Sequence, residues 1–309
     1  MANMQKLGLV YEASRYLQSW AKNSALTPTP MRHPDGHIRV FAGFRDDEGI
    51  SRIGFVDLDS QDPTQLLRVS QTPALDIGRP GCFDDNGVIL GDVAWAGSSL
   101  YLFYVGFQRV MKAKFLAFTG AAISIDAGES FVRISEAPIL GRAKLQTTIG
   151  AVHTAWHQDG RWRLWYARGD GWESIGGVDY PRYEICYLEG ENLLEMPRNG
   201  QLCVSPVATE YRIGRPRVYI RDGQYIMYYT KGTVEGSYFP GVAVSKDGLH
   251  WQRQDNSFEL NLSDSGWDSR HLCYPACLEV DGKEYIFYNG NDMGKDGFGV
   301  AVRDRAHGV

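Results

Sequence analysis

The sequence predicts an all-β fold, a five-bladed β-propeller with four antiparallel strands in each blade. Three observations lead to this prediction. A short aromatic motif recurs five times at an even spacing, tight Asp-Gly or similar turns precede its copies, and helical periodicity is weak along the chain. The 309 residues are expected to form one domain, 1–309.

Five similar segments define the repeat: HIRVFAGF, SLYLFYVGF, RWRLWYARG, QYIMYYTKG and EYIFYNGND. One aromatic residue in each serves as a marker, and the markers are Phe41, Tyr104, Tyr166, Tyr228 and Tyr288, spaced by 63, 62, 62 and 60 residues. A long β-sandwich or two β domains, the alternative architectures, would have no reason to repeat at this interval. The repeat predicts blades at about 20–70, 80–138, 146–200, 208–258 and 268–305.

Each blade is expected to begin with a strand that lines a central channel, and a tight turn then leads into the marker strand. These first strands are predicted at about 24–32, 87–97, 148–158, 212–221 and 271–280. A third strand follows the marker strand, and in two repeats the turns SIDAGESF and SKDGLHW lead to a fourth. SRYLQSWAKN, near the start of the chain, is the best helix candidate.

Charge and cysteine usage restrict the function and the compartment. The net charge is −5 and no basic block stands out, which disfavours a nucleic-acid or anionic-membrane partner. The five cysteines contain no C-x-x-C pair and no zinc set, so we expect reduced thiols. We expect no cofactor and no metal, because no ligand spacing indicates a metal, but a metal in the central channel stays an open alternative. No signal-peptide pattern and no run of 18 apolar residues occurs. A cytoplasmic protein is therefore expected, and its oligomeric state stays open.

The first strands and the loops beside them carry carboxylates, arginines and aromatic residues that should converge on one cavity. Carboxylates can perform acid/base work on a sugar, aromatic faces can cover its rings, and arginines can bind an anionic group. The candidate catalytic residues are Asp92, Asp85, Glu210, His153 and Asp268. The candidate substrate-binding residues are Asp84, Arg45, Asp46, Trp172, Arg182, Arg215, Arg217, Arg270, His271 and Tyr274.

Most of these candidates also have a purely structural interpretation. Asp84 and Asp85 lie in a DDNG sequence that favours a turn, and Asp268 can cap one. Arg45 with Asp46 can form a structural pair, Glu210 can join an ion-pair network, and His153 can be a hydrogen-bonded core residue. Asp92 lies inside a strand, where an acid is costly unless paired or hydrated, and this position favours function.

The sequence resembles the five-bladed propeller enzymes of the arabinanase, invertase and mannoside-phosphorylase type. More closely, it resembles bacterial glycosidase-like or sucrase-like proteins linked to surface-polysaccharide genes. The segments that carry the resemblance touch all five blades: HIRVFAGFRDDEGISRIGFVDLD, RPGCFDDNGVILGDV, GRWRLWYARG, IGRPRVYIRDGQYIMYY and SGWDSRHLCYPACLEVDGKEYIFYNGN. The resemblance implies a propeller that acts on sugars.

Hydrolases of this group use three acids on the first strands of separate blades. Here the first blade reads KNSALTPTP, without an acid, and the third reads TTIGAVHTAW, with His153 and no carboxylate. The leading hypothesis is nevertheless an enzyme that acts on a glycosidic bond, by hydrolysis as the default. A glycosyltransferase or phosphorylase with an arginine-bound anionic donor is one alternative, a non-catalytic sugar-binding propeller is another, and a scaffold for protein partners is a weaker third.

Overall fold

The computed structural model describes residues 4–16 and 18–305. Over these residues β-strands and their connections predominate, with three 3-10 helices at Ala13–Arg15, Leu193–Glu195 and Asp255–Ser257. One further short turn, α1 (Asn291–Gly294), has left-handed backbone angles at Asp292 and Met293. The expected helix in SRYLQSWAKN is wrong for its described residues: a 3-10 turn ends at Arg15, and Gln18 forms a β-bridge with Ala21. Within the described chain, no helix is long and apolar enough to cross a membrane.

The β-strands are short and evenly distributed. In chain order they are β1 (Gln5–Glu12), β2 (Asn23–Arg32), β3 (Ile38–Arg45), β4 (Ser51–Leu58), β5 (Leu66–Val69), β6 (Val88–Ala96), β7 (Ser99–Gln108), β8 (Leu116–Ser124), β9 (Val132–Arg133), β10 (Ile149–Gln158), β11 (Arg161–Ile175), β12 (Val178–Gly190), β13 (Gln201–Val204), β14 (Glu210–Arg221), β15 (Gln224–Thr233), β16 (Tyr238–Ser245), β17 (Gln252–Arg253), β18 (Cys273–Val280), β19 (Lys283–Asn289) and β20 (Gly297–Asp304).

The chain divides into two compact units. The first comprises Met1–Asp76 and Glu259–Val309 and contains two four-stranded sheets, ordered β2-β3-β4-β5 and β1-β20-β19-β18. The second, Ile77–Phe258, contains β6 to β17 in consecutive antiparallel groups. Short parallel pairings, β8 with β10 and β12 with β14, connect these groups. The sequence did not indicate that β1 would pair with β20. Strand β13 begins at Gln201 and so lies outside the predicted blade 146–200.

Tight turns set the register of the hairpins, as the Asp-Gly dipeptides predicted. In the turns that follow β10, β14 and β18, Asp159, Asp222 and Asp281 have φ of 53°, 50° and 49°. Each is followed by a glycine that also has a positive φ. Two consecutive positive φ values characterise the type I′ turn, whose twist matches that of the strands it joins. The marker residues all lie in the strand after the first turn of their group, and all five are buried.

In every group, the hydrogen-bond ladder between the first strand and the marker strand beside it is interrupted. Register shifts occur in β2 between Leu26 and Thr29, and at the corresponding points of β6, β10, β14 and β18. In three of these strands a residue at φ of 55° to 56° (Thr27, Arg215 or Tyr274) precedes a proline. Proline has no N–H to lose, so it fits where a bulge breaks the ladder. Such bulges redirect side chains, and they determine which polar groups meet below.

Candidate functional site

Four of the predicted site residues meet at the bulges of β6, β10 and β14, inside the second unit. They are Asp92, His153, Arg215 and Arg217, and each is at least nine-tenths buried. We call these four residues the polar cluster. Because every one of them lies on the first strand of its group, the cluster depends on the repeat bringing three separate segments together.

Asp92 is fully engaged by neighbouring groups. Its Oδ1 accepts a hydrogen bond of 2.5 Å from Nη1 of Arg217 and one of 2.8 Å from the N–H of Val93. Its Oδ2 accepts the N–H of Ala155, on β10, at 2.9 Å. Burial alone lowers the pKa of Arg217, but the Asp92 carboxylate and Tyr219 together raise it above its ordinary value. Arg217 therefore stays charged beside the Asp92 side chain, which it contacts at 2.5 Å.

Arg215 fixes the protonation state of His153. Its Nη1 donates to the carbonyls of Leu90 and Gly91 and lies 3.1 Å from Nδ1 of His153. A guanidinium can only donate, so Nδ1 carries the lone pair and the imidazole is neutral. Burial, followed by the charges of Arg215 and Arg217, places the pKa of His153 well below its ordinary value. His153 is thus a neutral acceptor near pH 7, and its backbone carbonyl accepts Nη1 of Arg217 at 2.8 Å.

A cavity of about 470 Å³ opens beside the cluster, along the halves of β6, β10 and β14 that lead into their tight turns. Its volume falls within the range of small-molecule sites. Asp92 and Arg217 contribute to its lining, and its aromatic walls are Trp95, Trp156 and Tyr219. Sequence reasoning missed these aromatic residues, although their spacings of 61 and 63 residues match the repeat and could have revealed them.

The other side of the same strand groups, near the starts of β6, β10 and β14, carries a second set of aromatic residues. Five partly exposed aromatic residues form it: Phe107, Phe115, Trp172, Tyr180 and Tyr211. We call them the aromatic loop surface. Ring centroids are 5.2 Å apart for Phe107 and Phe115, 5.4 Å for Phe115 and Trp172, and 6.0 Å for Tyr180 and Tyr211. Trp172 and Tyr180 lie on the β11–β12 hairpin, which extends past the ladder shift between Arg168 and Gly171.

Cationic side chains accompany these rings. The guanidinium of Arg212 lies 5.0 Å from the ring centre of Tyr211 and 5.9 Å from that of Tyr180. The ammonium of Lys114 also lies 5.9 Å from the ring of Tyr180. Arg182, predicted to bind substrate, is exposed on the same hairpin. The surface therefore combines aromatic faces with positive charge, a combination that suits a sugar bearing an anionic group.

Asp84 and Asp85 have different surroundings. Asp84 is buried and bonded to Arg133 at 2.8 Å, and it occupies space left by Gly106, where an added Cβ would lie 2.4 Å from the Asp84 Cβ. Asp85 is partly exposed, and its Oδ2 accepts the N–H of Gly81 at 2.8 Å. The adjacent Asn86 donates its N–H to the carbonyl of Phe107. Asp85 therefore borders the aromatic loop surface, whereas Asp84 belongs to a packed ion pair.

Glu210 belongs to an ion-pair network away from the polar cluster. Its carboxylate contacts Arg253 at 2.7 Å and Lys231 at 3.6 Å, and Asp255 joins both cations. Burial alone raises the pKa of Glu210, but the Arg253 hydrogen bond and the other partners hold it below its ordinary value. This geometry matches the structural alternative for Glu210, a network that connects β14, β15 and β17.

The remaining predicted residues lie in the first unit and are described within it. Asp268 is buried, 2.6 Å from the Lys6 ammonium and 3.0 Å from the Tyr288 hydroxyl. Asp46 accepts N–H groups of its own turn and pairs with Arg52 at 2.7 Å, so the expected pairing of Arg45 with Asp46 is replaced. Burial lowers the pKa of Arg45, and nearby Tyr274 partly counters this effect.

Arg270, His271 and Tyr274 lie near the start of β18. Arg270 is exposed and pairs with Asp292 at 2.9 Å. The Nδ1 of His271 accepts the N–H of Asp292 at 3.3 Å, and Tyr274 is the residue at positive φ in the bulge of β18. These contacts leave the predicted binding roles of all three untested.

The predicted acids can now be compared by their partners. Asp84, Asp92, Glu210 and Asp268 each bond a buried or half-buried arginine or lysine. A carboxylate neutralised in this way is a weak base and a poor nucleophile, because both reactions would break the pair. Among the described residues, Asp85 alone of the predicted catalytic acids has no cationic partner. It is therefore the predicted acid whose chemistry remains open.

Comparison with known proteins gives relatives in sequence and in structure. No protein-family model matches the chain. The uncharacterized protein Rv1502 of Mycobacterium tuberculosis (strain ATCC 25618 / H37Rv) is 27% identical over 300 residues, which cover 96% of this chain and 98% of that protein. The uncharacterized protein MT1551 of strain CDC 1551 / Oshkosh has the same identity and coverage. The similarity therefore extends over nearly the full length of both chains.

Solved structures show the fold. One described as a glycoside hydrolase has a TM-score of 0.75 at 15% identity, covering 100% of this chain and 95% of that chain. A member of the GH130 family of mannoside phosphorylases has a TM-score of 0.73 at 13% identity, covering 100% of this chain and 96% of that chain. A thermostable family-43 glycoside hydrolase has a TM-score of 0.68 at 15% identity, covering 95% of this chain and 93% of that chain. The chain thus has a glycoside hydrolase-like propeller fold.

Breaking the Asp92–Arg217 pair should destabilise the protein. We expect Arg217→Met to lower the free energy of unfolding by about 3–5 kcal/mol, because it leaves Asp92 buried without its cation. The double variant Asp92→Leu/Arg217→Met should cost less than the sum of the two single changes. Urea denaturation measures these differences. Arg161→Met, which removes an exposed pair with Glu189, is the matched control and should cost at most about 1 kcal/mol. Equal losses in Arg217→Met and Arg161→Met would contradict the prediction.

The neutral state of His153 should make stability depend on pH. Because its pKa is depressed in the folded chain, the unfolded chain takes up a proton first as the pH falls below about 6.5. Folding stability attributable to His153 should then fall by up to about 1.4 kcal/mol per pH unit until the folded pKa is reached. Denaturation between pH 7 and pH 5, compared with His153→Gln, measures this slope. An NMR titration in which folded His153 protonates near pH 6.5 would disprove it.

Proposed function

We propose that this protein is a carbohydrate-active enzyme that binds a sugar or glycoconjugate at the aromatic loop surface and acts on a glycosidic bond there. The observation that carries the proposal is the run of partly exposed rings beside Asp85. Aromatic faces cover the apolar C–H surfaces of sugars, and carboxylates serve as acid or base in glycosidic chemistry. The glycoside hydrolase-like fold supports the same assignment, although fold alone does not establish chemistry.

The finer architecture belongs to this proposal. We take the four-strand groups as five blades of one propeller, which would direct the starts of β6, β10 and β14 toward one common face. We also propose a cytoplasmic location and a place among sucrase-like proteins linked to surface polysaccharides. All five cysteines are free thiols, in keeping with a reducing compartment.

Placement of the ligand distinguishes two ends of the same strands. The cavity beside Trp95 lies near the end of β6, whereas Asp85 precedes its start. Asp85 lies in a turn, and residues 88–95 of β6 between the two positions span roughly 20 Å at about 3.3 Å per residue. The only predicted acid lining the cavity is Asp92, which is neutralised by Arg217. We therefore assign sugar chemistry to the loop end and not to the cavity.

An anionic ligand is part of the proposal, but the cations differ from those expected. Arg215 and Arg217 were predicted to bind the anion, yet they are buried and bonded to backbone carbonyls and to Asp92. Arg182, Arg212 and Lys114 accompany the aromatic loop surface instead. These groups would receive a carboxylate or phosphate on the sugar, which also keeps transfer from an anionic donor as a variant of the enzyme.

Sugar binding without catalysis is the second candidate function, favoured by one specific observation. Glycoside hydrolysis normally uses two carboxyl groups about 5–10 Å apart. Five of the six predicted catalytic or binding acids are held in ion pairs, which leaves Asp85 without an evident second carboxylate among them. A propeller with this arrangement can recognise a glycan while lacking the acid pair.

Removal of Trp172 should weaken glycan binding. We expect Trp172→Ala to raise the dissociation constant at least about tenfold for neutral or acidic glycans found by array screening, because stacked apolar area is lost. Isothermal titration calorimetry measures the change. Trp95→Ala is the matched control, a partly exposed tryptophan of the same unit at the other end of β6, and it should bind like wild type. The reverse result would place the ligand in the cavity and contradict our assignment.

Asp85 should carry the chemistry if the protein is an enzyme. We expect Asp85→Asn to reduce product formation from glycans or nucleotide sugars by about 10²–10⁴-fold while glycan affinity changes little. Chromatography and mass spectrometry of the products provide the readout. Asp159→Asn, in the exposed turn after β10, is the control and should retain wild-type activity. Glycan binding without any product would select the second candidate, and activity unaffected by Asp85→Asn would remove Asp85 from the mechanism.

A further inference from the structure

The turn between β2 and β3 places two histidines and an aspartate side by side. Its sequence is His33-Pro34-Asp35-Gly36-His37, and it belongs to the first unit, whereas the residues of the proposed function belong to the second. The His33 N–H donates to the His37 carbonyl at 2.9 Å, and the Gly36 N–H donates to the His33 carbonyl at 2.8 Å. These bonds hold the two imidazole rings in a stack with centroids 4.2 Å apart.

We propose that His33, Asp35 and His37 form a binding site for a divalent transition-metal ion of the zinc class. One ligand atom from each residue lies within 4.8 Å of those from the other two. Two ligands of a tetrahedral zinc ion lie about 3.4 Å apart, given bond lengths near 2.1 Å. The His33 Nδ1–Asp35 carboxylate distance is already 3.5 Å, so closure of the site requires the stacked His37 ring to turn toward these two atoms. Two imidazoles and one carboxylate suit zinc or nickel better than magnesium or calcium.

The Nδ1 atom of His33 faces Asp35, and a metal would replace the Asp35 N–H at this atom. Its Nδ1 accepts the N–H of Asp35 at 3.2 Å and lies 3.5 Å from the Asp35 carboxylate. The residue is 8% exposed, and its Nε2 is buried with no hydrogen-bond partner among the described residues.

His37 has the support that metal-binding histidines commonly have. Its Nε2 lies 3.2 Å from Oδ1 of Asp57, although the angle does not yet make a hydrogen bond. Asp57 is buried and is fixed in place by Arg39 at 2.7 Å and Arg68 at 2.9 Å. Once the ring turns so that its Nε2–H donates to this carboxylate, His37 would offer Nδ1 to the metal. A carboxylate behind a histidine ligand fixes the tautomer and raises the basicity of the ring.

The two arginines oppose cation binding, so the charge balance matters. Arg39 and Arg68 face Asp57, and Asp35 contributes the second negative charge at the turn. The formal charges of the two arginines and the two aspartates sum to zero before a metal binds. Asp35 is then the residue that compensates the incoming charge, and its carboxylate should be as important for affinity as either imidazole. From the sequence alone, HPDG predicts only a tight turn. An aspartate that forms a turn and an aspartate that binds a metal cannot be distinguished in a single sequence.

Zinc titration of the tag-free protein tests the site. We expect one Zn²⁺ per chain by calorimetry, a higher thermal unfolding temperature with Zn²⁺, and no such rise with Mg²⁺ or Ca²⁺. Asp35→Asn should weaken zinc binding at least about tenfold while preserving the fold, because this side chain is exposed. His37→Gln should do the same. His250→Gln, which alters an exposed His–Asp pair outside the turn, is the matched control and should bind like wild type.

Cobalt substitution separates this site from the cysteines. Co²⁺ bound to nitrogen and oxygen ligands should lack the intense thiolate charge-transfer band that cysteine coordination produces. Wild-type protein that takes up no stoichiometric Zn²⁺, or binding that survives Asp35→Asn/His37→Gln in a folded protein, would overturn the proposal. Because these readouts involve neither glycans nor Asp85, their failure would leave the proposed function unaffected.

Discussion

The second unit is organised around one buried ion pair and the backbone bonds that surround it. Asp92 and Arg217 come from β6 and β14, and Asp92 also accepts the N–H of Ala155 from the strand between them. Charges can be buried at such a point only because each one is matched and hydrogen-bonded. The same network that makes Asp92 tolerable inside the protein makes it a poor acid, base or nucleophile.

Thr154 shows that this connection follows the repeat. It lies 62 residues after Asp92, where its hydroxyl donates to the Pro216 carbonyl and accepts the Val218 N–H. Asp92 therefore bonds the backbone of β10, and Thr154 bonds the backbone of β14. Each side chain satisfies backbone groups on the first strand of the following group. The bulges matter here because they break the ladder and leave backbone groups that need other partners. A polar residue at this repeat position therefore has a structural role, which is to satisfy backbone groups at the bulge.

Buried and exposed polar groups have different roles in this molecule. The buried carboxylates are used in holding strands, whereas the aromatic loop surface and Asp85 remain partly accessible to a ligand. In the first unit, the turn that ends β2 exposes Asp35 beside two histidines whose positions are fixed by backbone bonds. In both places function is assigned to groups whose bonding capacity the fold has not already consumed.

The sequence by itself determined the strand periodicity, the tight turns and the positions of the first strands, because alternation, Asp-Gly pairs and a repeat near 62 residues are local patterns. Predicted first strands at 148–158 and 271–280 correspond to Ile149–Gln158 and Cys273–Val280. It also selected Asp92, His153, Arg215 and Arg217, which the structure brings together. Only the tertiary structure decided what these residues do. Whether an acid is neutralised depends on which cation lies beside it, and Arg217 is 125 residues away from Asp92 in the chain.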